Sequence, residues 1–108
     1  SGALTGKYLD GIPKGSRASL SGYEWLKKHM IETDRGKERM TRVASFIEIV
    51  RDYGVPPPNL AIAWCLLNKN VSTVILGASN LEQLNDNLKA AEATPLLTEE
   101  LKQRLDDL

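Results

Sequence analysis

Val71-Ser72-Thr73-Val74-Ile75-Leu76-Gly77-Ala78-Ser79-Asn80 is the stretch on which the fold turns. Its first six residues are rich in β-branched side chains, short as a run, and bounded by Asn70 and Gly77, which reads as a buried β-strand over 71–76. No other stretch reads as a confident strand. A lone strand leaves its N–H and C=O groups without a ladder, and each such group costs about 1–3 kcal/mol when buried. The sequence therefore predicts partner strands from elsewhere, in an absent N-terminal part or another chain. The opening Ser1-Gly2-Ala3-Leu4, which has no methionine, agrees with a piece of a longer protein.

Helices flank the predicted strand. Upstream, Leu60 to Leu67 is apolar throughout and follows Pro56-Pro57-Pro58, so a helix over about 58–69 is expected, buried on nearly all sides and carrying Trp64 and Cys65 into the core. Before it, Met40, Val43, Ala44, Ile47 and Val50 recur at three and four residues, which predicts a helix from Asp34 to Tyr53 with Gly54 as a left-handed stop. Residues 23–31 suit a short amphipathic helix with Leu26 and Met30 four apart. Downstream, Asn80 or Ser79 caps a helix whose Leu81, Leu84, Leu88 and Ala91 share a face and which ends at Thr94-Pro95. A last helix starts near Thr98, with Leu97, Leu101, Leu105 and Leu108 on one stripe.

Residues 1–22 hold five of the eight glycines, one proline and four serines, the composition of a long loop, with a short turn possible over Leu4 to Tyr8. Fourteen basic and fourteen acidic residues balance, so the general phosphate attraction that nucleic-acid binding needs is missing. Eleven Lys/Arg against seven Asp/Glu in residues 1–79, and three against seven in 80–108, place any anion chemistry early in the chain. The single cysteine excludes an internal disulfide and suits a reducing compartment, with the cytoplasm as default. No apolar run approaches the roughly 18–20 residues that cross a bilayer, so a membrane link would pass through a partner.

The turn Leu76-Gly77-Ala78-Ser79-Asn80 is where chemistry is expected. A strand that turns directly into a helix points free N–H groups and a positive dipole end at whatever sits there, which suits a phosphate. Gly77 allows close backbone approach and Ser79 adds a hydroxyl. Gln83, Asp86 and Asn87, one turn on, form a polar edge able to hydrogen-bond a nucleobase or ribose. In eight-stranded barrels the loops after the last two strands are the common phosphate seat. The same residues also make a plain capping box, as Asn80-x-x-Gln83 or Ser79-x-x-Glu82. Lys7 and Arg17 are the candidate phosphate partners in the glycine-rich loop, the first a point charge and the second a bidentate fork, although exposed loop cations are commonly only solvated. His29 has no further ligand at metal spacing and reads as a surface imidazole.

Taken together, Leu4-Thr5-Gly6-Lys7-Tyr8, Gly11-Ile12-Pro13, Ser16-Arg17-Ala18-Ser19-Leu20, Gly22-Tyr23-Glu24-Trp25-Leu26-Lys27, Leu60-Ala61-Ile62-Ala63-Trp64-Cys65-Leu66 and Leu76-Gly77-Ala78-Ser79-Asn80, followed by Glu82-Gln83-Leu84 and Asn87, resemble the aldo-keto reductase superfamily. The resemblance covers nearly all 108 positions and is strongest to the voltage-gated potassium channel β-subunit branch. It implies an α/β fold in which residues 1–108 form the C-terminal part of a TIM (β/α)8 barrel that binds NADPH or NADP+. Carried over by position, Lys7 and Arg17 would meet the cofactor phosphates, Gly77, Ser79 and Gln83 would surround the adenosine phosphate, and Asp86 with Asn87 would face the adenine. Asp86 stands where the family usually has Glu, and Gly15 where channel subunits have Tyr.

The resemblance further implies that the catalytic Tyr, with its supporting Asp and Lys, lies in the N-terminal half of such a barrel. No catalytic role falls to Tyr8, Tyr23 or Tyr53, and the 108 residues alone are expected to be inactive. The expected protein is a cytoplasmic subunit, tetrameric, peripheral to the membrane through a channel α subunit, with a small carbonyl as substrate of the complete barrel. Two alternatives stand beside it: part of a stand-alone soluble reductase of small aldehydes, and a non-enzymatic helical interaction module. Arg17-Ala18-Ser19-Leu20 and Gly22-Tyr23-Glu24-Trp25-Leu26-Lys27 favour the channel branch over the stand-alone one.

Overall fold

A computed structural model describes residues 2–108. The chain forms two compact units, one ending at Glu48 and the other running from Ile49 to Leu108. Among the described residues five α-helices carry the structure: α1 (Glu24–Lys27), α2 (Asp34–Arg51), α3 (Pro57–Leu66), α4 (Leu81–Leu88) and α5 (Glu99–Asp106).

In the first unit the glycine-rich segment is more ordered than a surface loop. It opens on a 3-10 turn, Ala3–Thr5, closed by Gly6 in the left-handed region with its N–H on the Ala3 carbonyl at 3.1 Å. A second 3-10 turn covers Arg17–Ser19. Between and after these turns the segment sends Tyr8 and Ala18 inward to meet Leu26 and Met30, and these four make a buried cluster flanked by Ala3, Ile12, Ile31 and Met40. Leu26 and Met30 thus share a buried face, as their spacing of four requires. The helix does not stay regular, however, because Lys28–Glu32 is wound as a π turn, closed by the Thr33 N–H on the Lys28 carbonyl at 3.1 Å. Thr33 then starts α2 by accepting the Gly36 N–H on Oγ1 at 3.1 Å, and Asp34 places a carboxylate in its first turn. Val43 and Phe46 of α2 are buried, in keeping with the apolar period.

In the second unit Gly54 takes φ 65°, the left-handed stop expected of it. Pro57 and Pro58 occupy the first turn of α3, where the missing N–H groups cost nothing. Leu60 and Ala63 are fully buried, but α3 is not enclosed on all sides. Trp64, expected in the core, is 43% exposed and donates its indole N–H to Asp106 Oδ1 of α5 at 3.0 Å. Cys65 is half-buried with a free thiol, and Leu66 is exposed. A hydrophobic run without an amphipathic period gives no way to tell a helix covered on one side from one covered all round. The helix α3 packs chiefly against Lys89–Leu96, a 3-10 continuation of α4 that buries Ala90 and Ala93 and runs through Pro95. Thr98 caps α5 by accepting the Leu101 N–H at 3.2 Å, and Leu101 is fully buried.

The predicted strand over 71–76 is not found: among the described residues no strand is formed. The Val71 N–H closes a turn on the Asn68 carbonyl at 2.9 Å, and the stretch then runs without regular structure to Asn80. A strand exists only through its neighbour's hydrogen bonds, and no described segment pairs with this one. Its side chains reflect the same lack, with Ile75 94% exposed. The leucine face of α4 is likewise uncovered, since Leu81, Leu84 and Leu88 are all exposed.

Candidate functional site

The corner between residue 76 and α4 is built from side chains that bond to one another. Asn80, with extended backbone at φ −151°, accepts the Gln83 N–H on Oδ1 at 2.8 Å and caps α4. The Gln83 side chain returns the contact one residue further out than in an ordinary capping box. Its Oε1 accepts both the backbone N–H and the hydroxyl of Ser79, each at 2.9 Å. Asn87, one turn beyond Gln83, donates Nδ2 to the Gly77 carbonyl at 3.4 Å, a long and weak bond. Four of the residues selected from the sequence therefore form two hydrogen-bonded pairs at the head of α4, Ser79 with Gln83 and Gly77 with Asn87.

Donors remain at this corner. The first N–H groups of a helix have no partner within it, and of these Asn80 takes only that of Gln83, leaving Leu81 and Glu82. The position where a Gly77 Cβ would stand has no atom within 4 Å, so its main chain can be approached closely. Glu82 in the first turn adds a negative charge next to these donors.

Asp86 belongs to neither pair. Its carboxylate is held by Lys89 Nζ at 2.9 Å, and its main-chain carbonyl accepts Asn59 Nδ2 of α3 at 3.1 Å. Asp86, Lys89 and Asn59 line an open cleft of about 350 Å³ together with Pro56 and Glu92. The bond to Asp86, followed by its charge, raises the Lys89 pKa above its ordinary value. Asn59 is 5% exposed, and reading the sequence did not single it out because its role depends on a residue 27 positions away.

Lys7 and Arg17 lie in the first unit, both exposed. Lys7 Nζ stands 5.1 Å from the centroid of the Tyr8 ring, a cation–π contact. The Arg17 guanidinium has no ion pair or hydrogen bond among the described residues. Beside it the Ser16 hydroxyl is buried without a partner, another feature that composition and spacing do not reveal. Glu24 accepts the Gly22 N–H at 3.1 Å on Oε1; its own N–H first, then that of Gly22, hold its pKa below the ordinary carboxylate value. The His29 ring lies tilted against Trp25, with centroids 6.4 Å apart and planes at 57°. Among the described residues no group of three His, Cys, Asp or Glu side chains is placed to hold a metal ion.

A comparison with protein families matches residues 1–107 to the model described as "Aldo/keto reductase family".

Proposed function

The chain belongs to the aldo/keto reductase family, and on that premise we propose that it forms the cofactor clamp of an NADPH-dependent (β/α)8 barrel of the potassium-channel β-subunit branch. The family is one of oxidoreductases that usually bind NADP(H). The observation that carries the reading is the two bonded pairs at the head of α4, Ser79 with Gln83 and Gly77 with Asn87, a polar corner beside open main chain.

The residues present suit a dinucleotide. Bare main chain at Gly77 admits a phosphate, the Leu81 and Glu82 N–H groups donate to it, and the Ser79 hydroxyl turns from Gln83 to join them. Gln83 and Asn87 hold side-chain amides one turn apart for the adenosine end. The weak Asn87 bond to Gly77 is readily exchanged for one to a base. Asp86 faces the adenine once its carboxylate turns from Lys89. Lys7 and Arg17 neutralise phosphates from the glycine-rich segment, and the unpartnered Arg17 guanidinium supports this role. NADPH, when bound, supplies a hydride to a carbonyl carbon. These side chains bind and orient; none of them is a catalytic residue, and the 108 residues by themselves do not reduce aldehydes.

Ser16-Arg17-Ala18-Ser19-Leu20 and Gly22-Tyr23-Glu24-Trp25-Leu26-Lys27 support the channel branch. In that setting the protein is cytoplasmic, assembles as four copies, and meets the membrane through a voltage-gated channel α subunit. Among the described residues no helix is long and apolar enough to cross a membrane. Fluorescence titration of the intact protein with NADPH tests the clamp, and an absence of binding at millimolar cofactor overturns it. Co-purification with a channel α subunit tests the branch; a protein that reduces small aldehydes but retains no channel belongs to the stand-alone reductases.

A further inference from the structure

Ser16 stands directly before Arg17 at the entry of the 3-10 turn Arg17–Ser19, with φ −73° and ψ 160°. A serine in that position ordinarily accepts an N–H of the turn on its side chain. This one does not. The Ser19 N–H and the Ser19 hydroxyl both go to the Ser16 main-chain carbonyl, at 3.0 and 2.8 Å. The Ser16 N–H goes to the Pro13 carbonyl at 3.1 Å. Its Oγ is left as the one buried side-chain oxygen or nitrogen with no hydrogen-bond partner among the described residues. A hydroxyl in that state has given up hydration for nothing, and native structures seldom keep one without a use.

The neighbouring side chain indicates the use. The adjacent Arg17 guanidinium is exposed and has no partner among the described residues, so a cation and a hydroxyl donor stand side by side in the chain with neither committed. That pairing is suited to a phosphate oxygen, which takes a charge-assisted bond from each. The backbone around them can also adjust. Gly15 at φ 80° and Gly22 at φ 85° bracket the segment, and where each would carry a Cβ there is no atom within 4 Å. Glycine has no Cβ to restrict φ and ψ, so a backbone change at these two positions is available to turn the Ser16 hydroxyl outward.

We infer that Ser16 is a further ligand-binding residue, whose hydroxyl donates a hydrogen bond to a phosphate oxygen of the dinucleotide that Arg17 neutralises. This rests on the NADPH reading given above and extends it to a residue that the resemblance does not assign. Ligand-free, the protein holds the hydroxyl inside the turn; with NADPH bound, the hydroxyl is spent on the phosphate.

The test is a fluorescence titration of the intact protein with NADPH, comparing wild type, Ser16→Ala and Arg17→Ala, with thermal melts of each protein free of ligand. Ser16→Ala is expected to bind NADPH about tenfold more weakly, the loss of one hydrogen bond to a charged group. Its ligand-free melting temperature is expected to equal or exceed that of wild type, because no bond within the protein is lost. In ³¹P spectra of the bound cofactor, one phosphate resonance is expected to move between wild type and Ser16→Ala. Wild-type affinity in Ser16→Ala, alongside weakened binding in Arg17→Ala, overturns the role of Ser16 and leaves the cofactor reading standing. A lowered ligand-free melting temperature in Ser16→Ala also overturns it, since the hydroxyl is then structural. Failure of the wild-type protein to bind NADPH overturns both.

Discussion

The Gln83 side-chain oxygen lies 2.9 Å from both the main-chain nitrogen and the hydroxyl oxygen of Ser79. One carboxamide thus occupies two donors at the corner where the proposed phosphate sits. Ser79→Ala removes the hydroxyl but leaves the N–H contact, so the ligand-free protein should lose only about 0.5–1.5 kcal/mol. NADPH binding should weaken by about 1–3 kcal/mol if a bond to phosphate is lost. Denaturant melts and NADPH titrations read the two separately, and equal affinity in mutant and wild type counts against Ser79 as a ligand.

Asn80→Ala isolates the helix cap from the ligand site. It frees the Gln83 N–H from its 2.8 Å bond and should lower stability by about 1 kcal/mol. Asn80→Asp should restore most of this, because a carboxylate accepts the same N–H and suits the positive end of α4. Melts of the three proteins decide the matter; an unchanged Asn80→Ala means that the cap contributes nothing.

Gly36 reverses the usual rule for glycine in a helix. Alanine is ordinarily the better helix residue by about 1 kcal/mol. Here a Cβ would stand 2.7 Å from both the His29 carbonyl oxygen and the Met30 carbonyl carbon, main-chain atoms that cannot swing aside. Gly36→Ala should therefore destabilise the protein by about 1–3 kcal/mol. A shift of the urea midpoint to higher concentration contradicts the packing of α2 on the π turn.

Glu24 gives a pH signature. Its carboxyl pKa is lowered in the folded state by its own N–H and by that of Gly22. The stabilisation is then present above the ordinary carboxylate value of 4.5 and is lost as pH falls through the lowered folded value. Glu24→Gln should remove that part of the acid-side slope, lowering stability slightly near neutrality and leaving it unchanged at the acid end, where Glu24 is protonated. Melting temperatures of both proteins between pH 2 and 7 test this, and parallel curves refute it.

Lys89 behaves in the opposite sense. Its pKa is raised, chiefly by the bond to Asp86. Its contribution is complete below the ordinary value of 10.5 and disappears as pH climbs through the raised folded value. Both side chains are more than half exposed, so the effect is small and screened by salt. Lys89→Met should flatten the alkaline end of the stability profile at low salt, and an unaltered profile speaks against the pair.

The parts of the fold that were legible in the sequence are those fixed by neighbours along the chain. The period of α2, the proline entry to α3, the Gly54 stop, the Asn80 cap and the Thr98 start all depend on residues within about one helical turn. The strand over 71–76 was not legible in the same way, because β-branched residues state a preference and only a second segment can satisfy it. The outward position of Trp64 depends on Asp106, 42 positions away. At the site, Gly77, Ser79, Gln83 and Asn87 fell together because a helix corner gathers its own neighbours. Asp86 turned to Lys89 instead, and the Ser16 hydroxyl became noticeable only when its burial was known.

The stretch Val71 to Leu76 has a consequence for the behaviour of the material in solution. It is six residues long, uncharged, free of proline and rich in β-branched side chains, with Ile75 almost wholly in water. Segments of that kind stack with copies of themselves into fibrillar sheets when nothing shields them. Concentrated samples of these 108 residues are expected to cloud with time and to take up amyloid dyes, and a lysine at position 75 should keep them clear.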